Sequence, residues 1–327
     1  MRLIRRRFLQ IAAAALALPA TSRIALAQPN YPSRPVRLIV PFPPGGAADI
    51  FTRLAAQKLS ERLEQQFYVE NIGGVGGNIG TGQAAKAAPD GYTVLFGFSS
   101  MVVSPSLFAN PLFDPQKDFD PVTLAVATTT ALVVNPSESA KTVKDLIDVI
   151  RGNPGKYSFA HPGLGTQPHL AGEQFRLSLA LDLVPVAFTG AGPAIVSVLG
   201  GHTPIGFSTL AAAASNVKDG KLRALAVTSK RRAQALPEVP TMAEAGHPDI
   251  AGDSWIGVLV PTGTPKDVIT LLHRELVQII EQPAMKERLL TLGYEPVATT
   301  PDAFAERIGV EIKTWAKVVR AANLMVH

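Results

Sequence analysis

An apolar strand that runs through a rigid turn directly into a helix is the feature that most constrains this fold. Residues 40–49 read V-P-F-P-P-G-G-A-A-D, and the residues after them are apolar at helical spacing. The first backbone N–H groups of such a helix have no intrahelical partner and carry partial positive charge. The turn therefore predicts a site that holds an anion, such as a carboxylate, without a cationic side chain. An ordinary strand-to-helix corner is the alternative.

The first 27 residues have the pattern of an export signal. Residues 5–10, R-R-R-F-L-Q, fit the twin-arginine pattern, residues 11–20 are apolar but too short to span a bilayer, and A-L-A at 25–27 is a small-residue cleavage site. Ordinary Sec export uses the same three regions, so the route stays open. We expect cleavage near Ala27 and a periplasmic location.

Removal of this signal changes the charge balance. It holds five of the 31 basic residues and no acidic one, which leaves 26 basic against 26 acidic residues. The remaining basic residues alternate with acidic ones and form no stripe of the kind that nucleic-acid binding needs. The absence of cysteine excludes disulfides, thiolate chemistry and cysteine metal sites.

Short apolar runs alternate with amphipathic helices, which predicts an α/β fold with mainly parallel sheets and helices on both faces. Strands are predicted at residues 36–40, 67–70, 93–98, 122–134, 183–188, 204–207, 222–228 and 254–260. The runs 122–134 and 254–260 would be two strands that cross between lobes. Residues 127–248 would then form lobe 2, inserted into a discontinuous lobe 1 of residues 28–126 plus 249–327. A single larger sheet is the alternative.

The motifs of common enzymes are weak or missing. Residues 80–85 contain a loose dinucleotide fingerprint, but the next strand ends in serines, with no acid placed to hold a ribose. The nucleophile elbow of serine hydrolases is absent. Six histidines are scattered singly, and the pair formed by His169 and Glu173 on one helix face does not complete a metal site. We therefore predict no catalytic residue, no cofactor and no metal.

Two glycine turns in the middle third repeat the design of the first turn. Residues 163–170 read G-L-G-T-Q-P-H-L, with Thr166 in position to cap a helix, and residues 189–194 read T-G-A-G-P-A after a strand. Each turn offers N–H groups and a hydroxyl to a ligand that faces the other lobe. Three ordinary capped helices are the alternative, but several such turns in each lobe favour a cleft.

Besides V-P-F-P-P-G-G-A-A-D, five segments carry a family pattern: V-E-N-I-G-G-V-G-G-N-I-G (69–80), A-P-D-G-Y-T (88–93), L-R-A-L-A-V-T-S-K-R-R (222–232), L-P-E-V-P-T-M-A-E-A-G (236–246) and S-W-I-G-V-L-V-P-T-G-T-P (254–265). Together they resemble the solute receptors of tripartite tricarboxylate transporters, the Bug or TctC-type family. The resemblance implies a type II periplasmic binding protein, whose two lobes close on one small solute, and a permease with two integral membrane subunits. We expect a monomer.

Carried over position by position, the resemblance implies a ligand-binding site in the cleft. Its expected members are Phe42, Gly45, Ala47, Ala48, Asp49 and Ser99 from lobe 1, and Gly165, Thr166, His169 and Ser208 from lobe 2. Asp49 and Arg53 lie one helical turn apart and are expected to pair. Many family members carry Pro-Thr at 47–48 and Tyr-Lys-Gly at 188–190. Because this chain lacks that hydroxyl and that cation, we expect a solute with less charge than citrate.

The predicted function is therefore capture of a small carboxylate-type solute rather than catalysis. Two other classes stay open at this stage. One is a periplasmic hydrolase or dehydrogenase, and the other is a sensory module that feeds a membrane kinase through the same fold. A transporter gene or a kinase gene beside this one would separate transport from signalling.

Overall fold

The computed structural model describes residues 31–321 and 324, and strands and helices alternate along this part of the chain. The strands are β1 Val36–Val40, β2 Phe67–Asn71, β3 Thr93–Phe98, β4 Phe119–Val134, β5 Tyr157–His161, β6 Leu183–Ala187, β7 Ile205–Thr209, β8 Arg223–Val227, β9 Asp253–Pro261 and β10 Glu295–Pro296. The helices are α1 Ala47–Leu63, α2 Asn78–Ala85, α3 Ser100–Leu107, α4 Val143–Gly152, α5 Gln167–Ser178, α6 Ala191–Leu199, α7 Leu210–Lys218, α8 Lys266–Glu281, α9 Pro283–Thr291 and α10 Pro301–Ala321.

The eight strands expected from the apolar pattern are all present, with ends that move by up to three residues. Two strands, β5 and β10, escaped the prediction. The first is a five-residue strand, Y-S-F-A-H, in which polar residues interrupt the apolar run. The second has only two residues and gains its ladder hydrogen bonds from β4.

The strands form one curled, mixed sheet in the order β2-β1-β3-β9-β4-β7-β5-β6, with β8 and β10 also paired to β4. Parallel pairing, as expected, joins β1 to β2 and β3, and β5 to β6 and β7. The long strands β4 and β9 instead pair antiparallel with each other and with their other neighbours. The sheet thus has two parallel parts, β2-β1-β3 and β7-β5-β6, and antiparallel pairs with β4 and β9 join them.

Strand β4 is the main connection between the two lobes. Its pairing with β9 ends at Thr129, and its pairing with β7 begins at Thr130. Hydroxyl groups satisfy the backbone at this change of partner, since the Thr228 hydroxyl accepts from the Thr130 N–H at 3.2 Å and Thr128 donates to the Gly293 carbonyl at 2.9 Å. Below, lobe 1 denotes the part of the sheet with β1–β3, and lobe 2 denotes the part with β5–β8.

Helices cover both faces of the sheet in lobe 2. Because successive strand residues point to opposite faces, Leu132 and Val134 enter one apolar cluster and Ala131 and Val133 enter another. Lobe 1 has its own cluster, in which the fully buried Trp255 packs edge-on against Phe304. These cores hold the strand ends, and the turns that follow them, in fixed positions.

None of the described helices combines the length and the apolar character that a membrane crossing needs. The export signal predicted for residues 1–27 lies outside the described residues.

Candidate ligand-binding site

The turn between β1 and α1 is built by Asp49. Its carboxylate accepts hydrogen bonds from the Gly45 N–H at 3.0 Å and from the Asn71 side-chain amide at 2.9 Å, and it pairs with Arg53 at 2.9 Å. Burial alone would raise the pKa of this carboxyl, but the hydrogen bonds from Arg53, Gly45 and Asn71 outweigh it and lower the pKa below its usual value. The predicted pairing of Asp49 with Arg53 is confirmed. The ionised Asp49 carboxylate stabilises the turn through its hydrogen bond from Gly45.

This arrangement leaves the first turn of α1 open. Gly45 takes φ +86°, a left-handed conformation that glycine adopts without strain. Gly46 occupies the N-cap position, and no side chain caps the helix. The N–H groups at the start of α1 therefore have no side-chain cap and are available to a ligand.

Lobe 2 presents two helices that begin in the same way. Thr166 is the N-cap of α5, but its hydroxyl donates to the Gly163 carbonyl at 2.6 Å and does not cap the helix. Gly190 is the N-cap of α6, which also has no side-chain cap. Helix α4 is different, because Thr142 and Asp145 form a complete capping box at its start.

These three helix starts meet at one small cavity between the lobes. Its walls are formed by Phe42, Gly46, Ala47, Ala48 and Phe98 from lobe 1, and by Pro162, Thr166, Ala191 and Thr209 from lobe 2. The cavity volume is about 20 Å³, which is room for about one water molecule. The two lobes are in contact beside this cavity, at Gly76 and Leu164 and at Gly190 and Pro43.

Two aromatic rings form one wall of the cavity, the aromatic wall, and the two lobes approach each other closely beside it. The rings of Phe42 and Phe98 meet edge to face with 5.4 Å between centroids. A Cβ at Gly190 would lie 2.8 Å from Cδ of Pro43, so only glycine allows this approach of the two lobes.

Four of the ten residues expected at the site line this cavity, namely Phe42, Ala47, Ala48 and Thr166. The other six, Gly45, Asp49, Ser99, Gly165, His169 and Ser208, lie beside the lining residues in the chain or support the turns. Ser99 and Ser208 are buried, and their hydroxyls have no hydrogen-bond partner among the described residues.

Five lining residues were not among those expected, namely Gly46, Phe98, Pro162, Ala191 and Thr209. The glycine turn at 189–194 had indicated Ala191. Thr209 ends β7 next to Ser208, so its only signal was its position at a strand end.

Two histidines form a buried pair behind the α5 turn, so the expectation that all six are scattered singly is wrong. The rings of His161 and His169 lie 4.4 Å apart. Burial lowers the pKa of His161 to about 3, helped by the His169 charge, and lowers that of His169 to about 4, helped by Arg176. Nδ1 of His169 accepts from the Gly165 N–H at 3.3 Å, as a neutral ring can.

No group of three or more side chains that could hold a metal occurs within residues 31–321 and 324. The chemistry available at the cavity is therefore that of backbone N–H groups, hydroxyls and aromatic rings. Such a set can bind an anion and orient a small apolar body.

Comparison with known proteins identifies the family. The family described as tripartite tricarboxylate transporter family receptor, TctC, matches residues 51–324. The chain belongs to this family of receptors. It is a solute-binding protein of the periplasmic type and not an enzyme, which confirms the class that the family resemblance implied.

Individual relatives agree over nearly the whole length. The chain is 37% identical to protein BugT of Bordetella pertussis over 95% of this chain and 94% of the relative. The solved structure of the periplasmic binding protein BugD has a TM-score of 0.87 at 32% identity, over 90% of this chain and 99% of that one. The structure of R. palustris Rpa4515 with adipate gives the same TM-score and coverage at 31% identity. The two-lobed α/β fold is thereby confirmed.

Proposed function

We propose that this chain captures a small carboxylate solute between its lobes and delivers it to a membrane permease with two integral subunits. The observation that carries the proposal is the meeting of three uncapped helix starts, of α1, α5 and α6, at one interlobe cavity. Their N–H groups and helix dipoles all favour negative charge at the same place. The adipate in the related Rpa4515 structure is a solute of this class.

Closure supplies the binding energy in this proposal. Either lobe alone offers part of a polar shell, and the closed form surrounds the carboxylate and excludes water. A solute shifts the lobes towards closure only to the extent that it binds the closed form better than the open form. The permease would then read the closed form.

The organisation of the chain follows from the same proposal. The export signal of residues 1–27 would be cleaved near Ala27, and the monomeric receptor would work in the periplasm. Residues 28–126 plus 249–327 would form lobe 1 and residues 127–248 would form lobe 2. The pairing change of β4 between Thr129 and Thr130 supports a boundary close to residue 127.

A thermal-shift and calorimetric panel tests the capture step. The panel contains mono-, di- and tricarboxylates, amino acids and neutral amides. A true solute at a hundred times its Kd stabilises the folded protein by about 2.7 kcal/mol. A panel in which no carboxylate shifts the unfolding transition would refute the proposal.

A pair of glycine variants tests whether the turn before α1 binds the carboxylate. Gly45→Val and Gly246→Val both place a side chain at positive φ, +86° and +92°, and a Cβ meets no atom within 4 Å at either position. Both variants therefore carry a similar backbone strain. We expect Gly45→Val to lose the solute-dependent shift and Gly246→Val to retain it. Equal solute-dependent shifts in the two variants would mean that the carboxylate binds elsewhere.

A further inference from the structure

The residues that line the interlobe cavity favour some carboxylates over others. We propose that the solute is a compact monocarboxylate whose second polar group is uncharged, a hydroxyl or a carboxamide that hydrogen-bonds to Thr209. This inference rests on the proposed function, because it takes the carboxylate to be held at the helix starts.

The charge of the cavity walls limits the charge of the solute. None of the nine residues that line the cavity, as far as the structure describes the chain, is a lysine, arginine or histidine. Arg53, close to the α1 turn, is already paired with the buried Asp49. A second carboxylate enclosed here would lose its hydration without gaining a counter-ion, which strongly disfavours its binding.

Thr209 offers the cavity a buried hydroxyl. The residue lines the cavity and is 2% exposed, and its Oγ1 has no hydrogen-bond partner among the described residues. Thr130 lies directly opposite Thr209 in the antiparallel ladder, and its hydroxyl is also buried without such a partner. A buried hydroxyl of this kind is normally satisfied, so that of Thr209, which lines the cavity, indicates a polar group on the ligand.

Thr166 differs from Thr209 in what its hydroxyl can still do. Thr166 also lines the cavity, but its hydroxyl already donates to the Gly163 carbonyl at 2.6 Å and can only accept a further hydrogen bond. A ligand group that both donates and accepts, such as a hydroxyl or a carboxamide, satisfies Thr166 and Thr209 together. A second ionised carboxylate at this end of the solute only accepts, so it would leave the lone pairs of Thr166 without a donor.

Size follows from the closed cavity and from the aromatic wall. The cavity of about 20 Å³ is small, so a large solute needs more displacement of the lobe contacts than a small one does. The edge-to-face rings of Phe42 and Phe98 offer an apolar surface for a short carbon body between the two polar ends. A compact solute therefore keeps more of the closing contacts than a long one.

Matched ligands test the proposal with the unmodified protein. Calorimetry compares succinamate with succinate and adipamate with adipate at pH 7.5, so that each pair differs by one charge at nearly constant shape. We expect the monoamide to bind at least tenfold more tightly than the diacid in at least one pair. A diacid that binds as tightly as its monoamide, or more tightly, in both pairs overturns the inference but leaves carboxylate capture standing. The absence of binding by every carboxylate in the panel overturns both.

Variants of Thr209 locate the uncharged end. Thr209→Val preserves the shape and removes the hydroxyl, and Thr209→Ser keeps the hydroxyl. We expect Thr209→Val to weaken binding of the better monoamide about tenfold more than it weakens binding of butyrate, and Thr209→Ser to restore most of that affinity. Because Thr209 makes no side-chain cap for α7, both variants should fold. Equal affinity of Thr209→Val and the unmodified protein for the monoamide would refute the assignment.

Discussion

Gly76→Ala tests whether the closed contact between the lobes controls affinity. Gly76 lies in the short 3-10 turn Val75–Gly77, and its φ is +62°. A Cβ there would overlap the backbone carbonyl oxygen of Leu164 in lobe 2. A carbonyl fixed in the backbone cannot rotate away as a side chain can, so the methyl group holds the lobes apart.

Gly220→Ala is the matched control for this variant. Gly220 has φ +69°, and a Cβ there meets no atom within 4 Å. Alanine in the left-handed region costs about 1 kcal/mol of folding stability in both variants. Only Gly76→Ala carries the additional overlap between lobes, and overpacking of this kind costs about 1–3 kcal/mol.

The overlap acts on the closed form and therefore on binding. Converted at about 1.4 kcal/mol for each factor of ten, it should raise the Kd roughly 5- to 150-fold. Urea unfolding would give similar stabilities for the two variants, and calorimetry with the best solute of the panel would separate them. If Gly76→Ala binds that solute as tightly as Gly220→Ala does, this closed contact does not determine affinity and the reasoning is wrong.

Three further predictions concern the groups that support the site. Asp49→Asn removes the ion that accepts from Gly45, and it should lower the free energy of unfolding by about 1.5 kcal/mol in urea titrations and weaken solute binding. Tyr294→Phe removes a buried hydroxyl that donates to the first turn of α1 at 2.6 Å, at a cost of about 1 kcal/mol in the same assay. His161 and His169, with pKa values of about 3 and 4, should each remove about 2 kcal/mol of stability between pH 7.5 and pH 5.

The sign of the histidine effect follows from proton uptake. The folded pKa values lie below the unfolded value of 6.5, so the unfolded chain binds more protons between about pH 4 and pH 6.5. Stability is therefore present at neutral pH and declines as the pH falls through that window. His169→Gln should lose about half of the decline. A free energy of unfolding that stays constant from pH 7.5 to pH 5 would contradict a neutral, buried pair of His161 and His169. If Asp49→Asn and Tyr294→Phe unfold like the unmodified protein, the hydrogen bonds assigned to these two side chains do not stabilise the fold.

Local patterns predicted most of the fold because local physics decides them. Apolar runs placed the edges of β1 and β3 correctly, and glycine turns located the starts of α1, α5 and α6. The short strand β5 escaped because its alternation is weak and its place is decided by its neighbours β6 and β7. The stacking of His161 on His169 escaped for a related reason, since one belongs to a strand and the other to a helix.

The sequence by itself determined the family, the α/β class and the glycine turns at the starts of α1, α5 and α6, because each depends on residues adjacent in the chain. Only the tertiary structure decided which groups share a cavity. Phe98, Ala191 and Thr209 come from distant segments and meet because β4 carries the chain from one lobe to the other. The tertiary structure also decided that the Asp49 carboxylate accepts a hydrogen bond from Gly45 in its own turn, and that the Thr209 hydroxyl has no partner among the described residues. Hydrogen-bond partners and burial are properties of packing, and a linear pattern does not encode them directly.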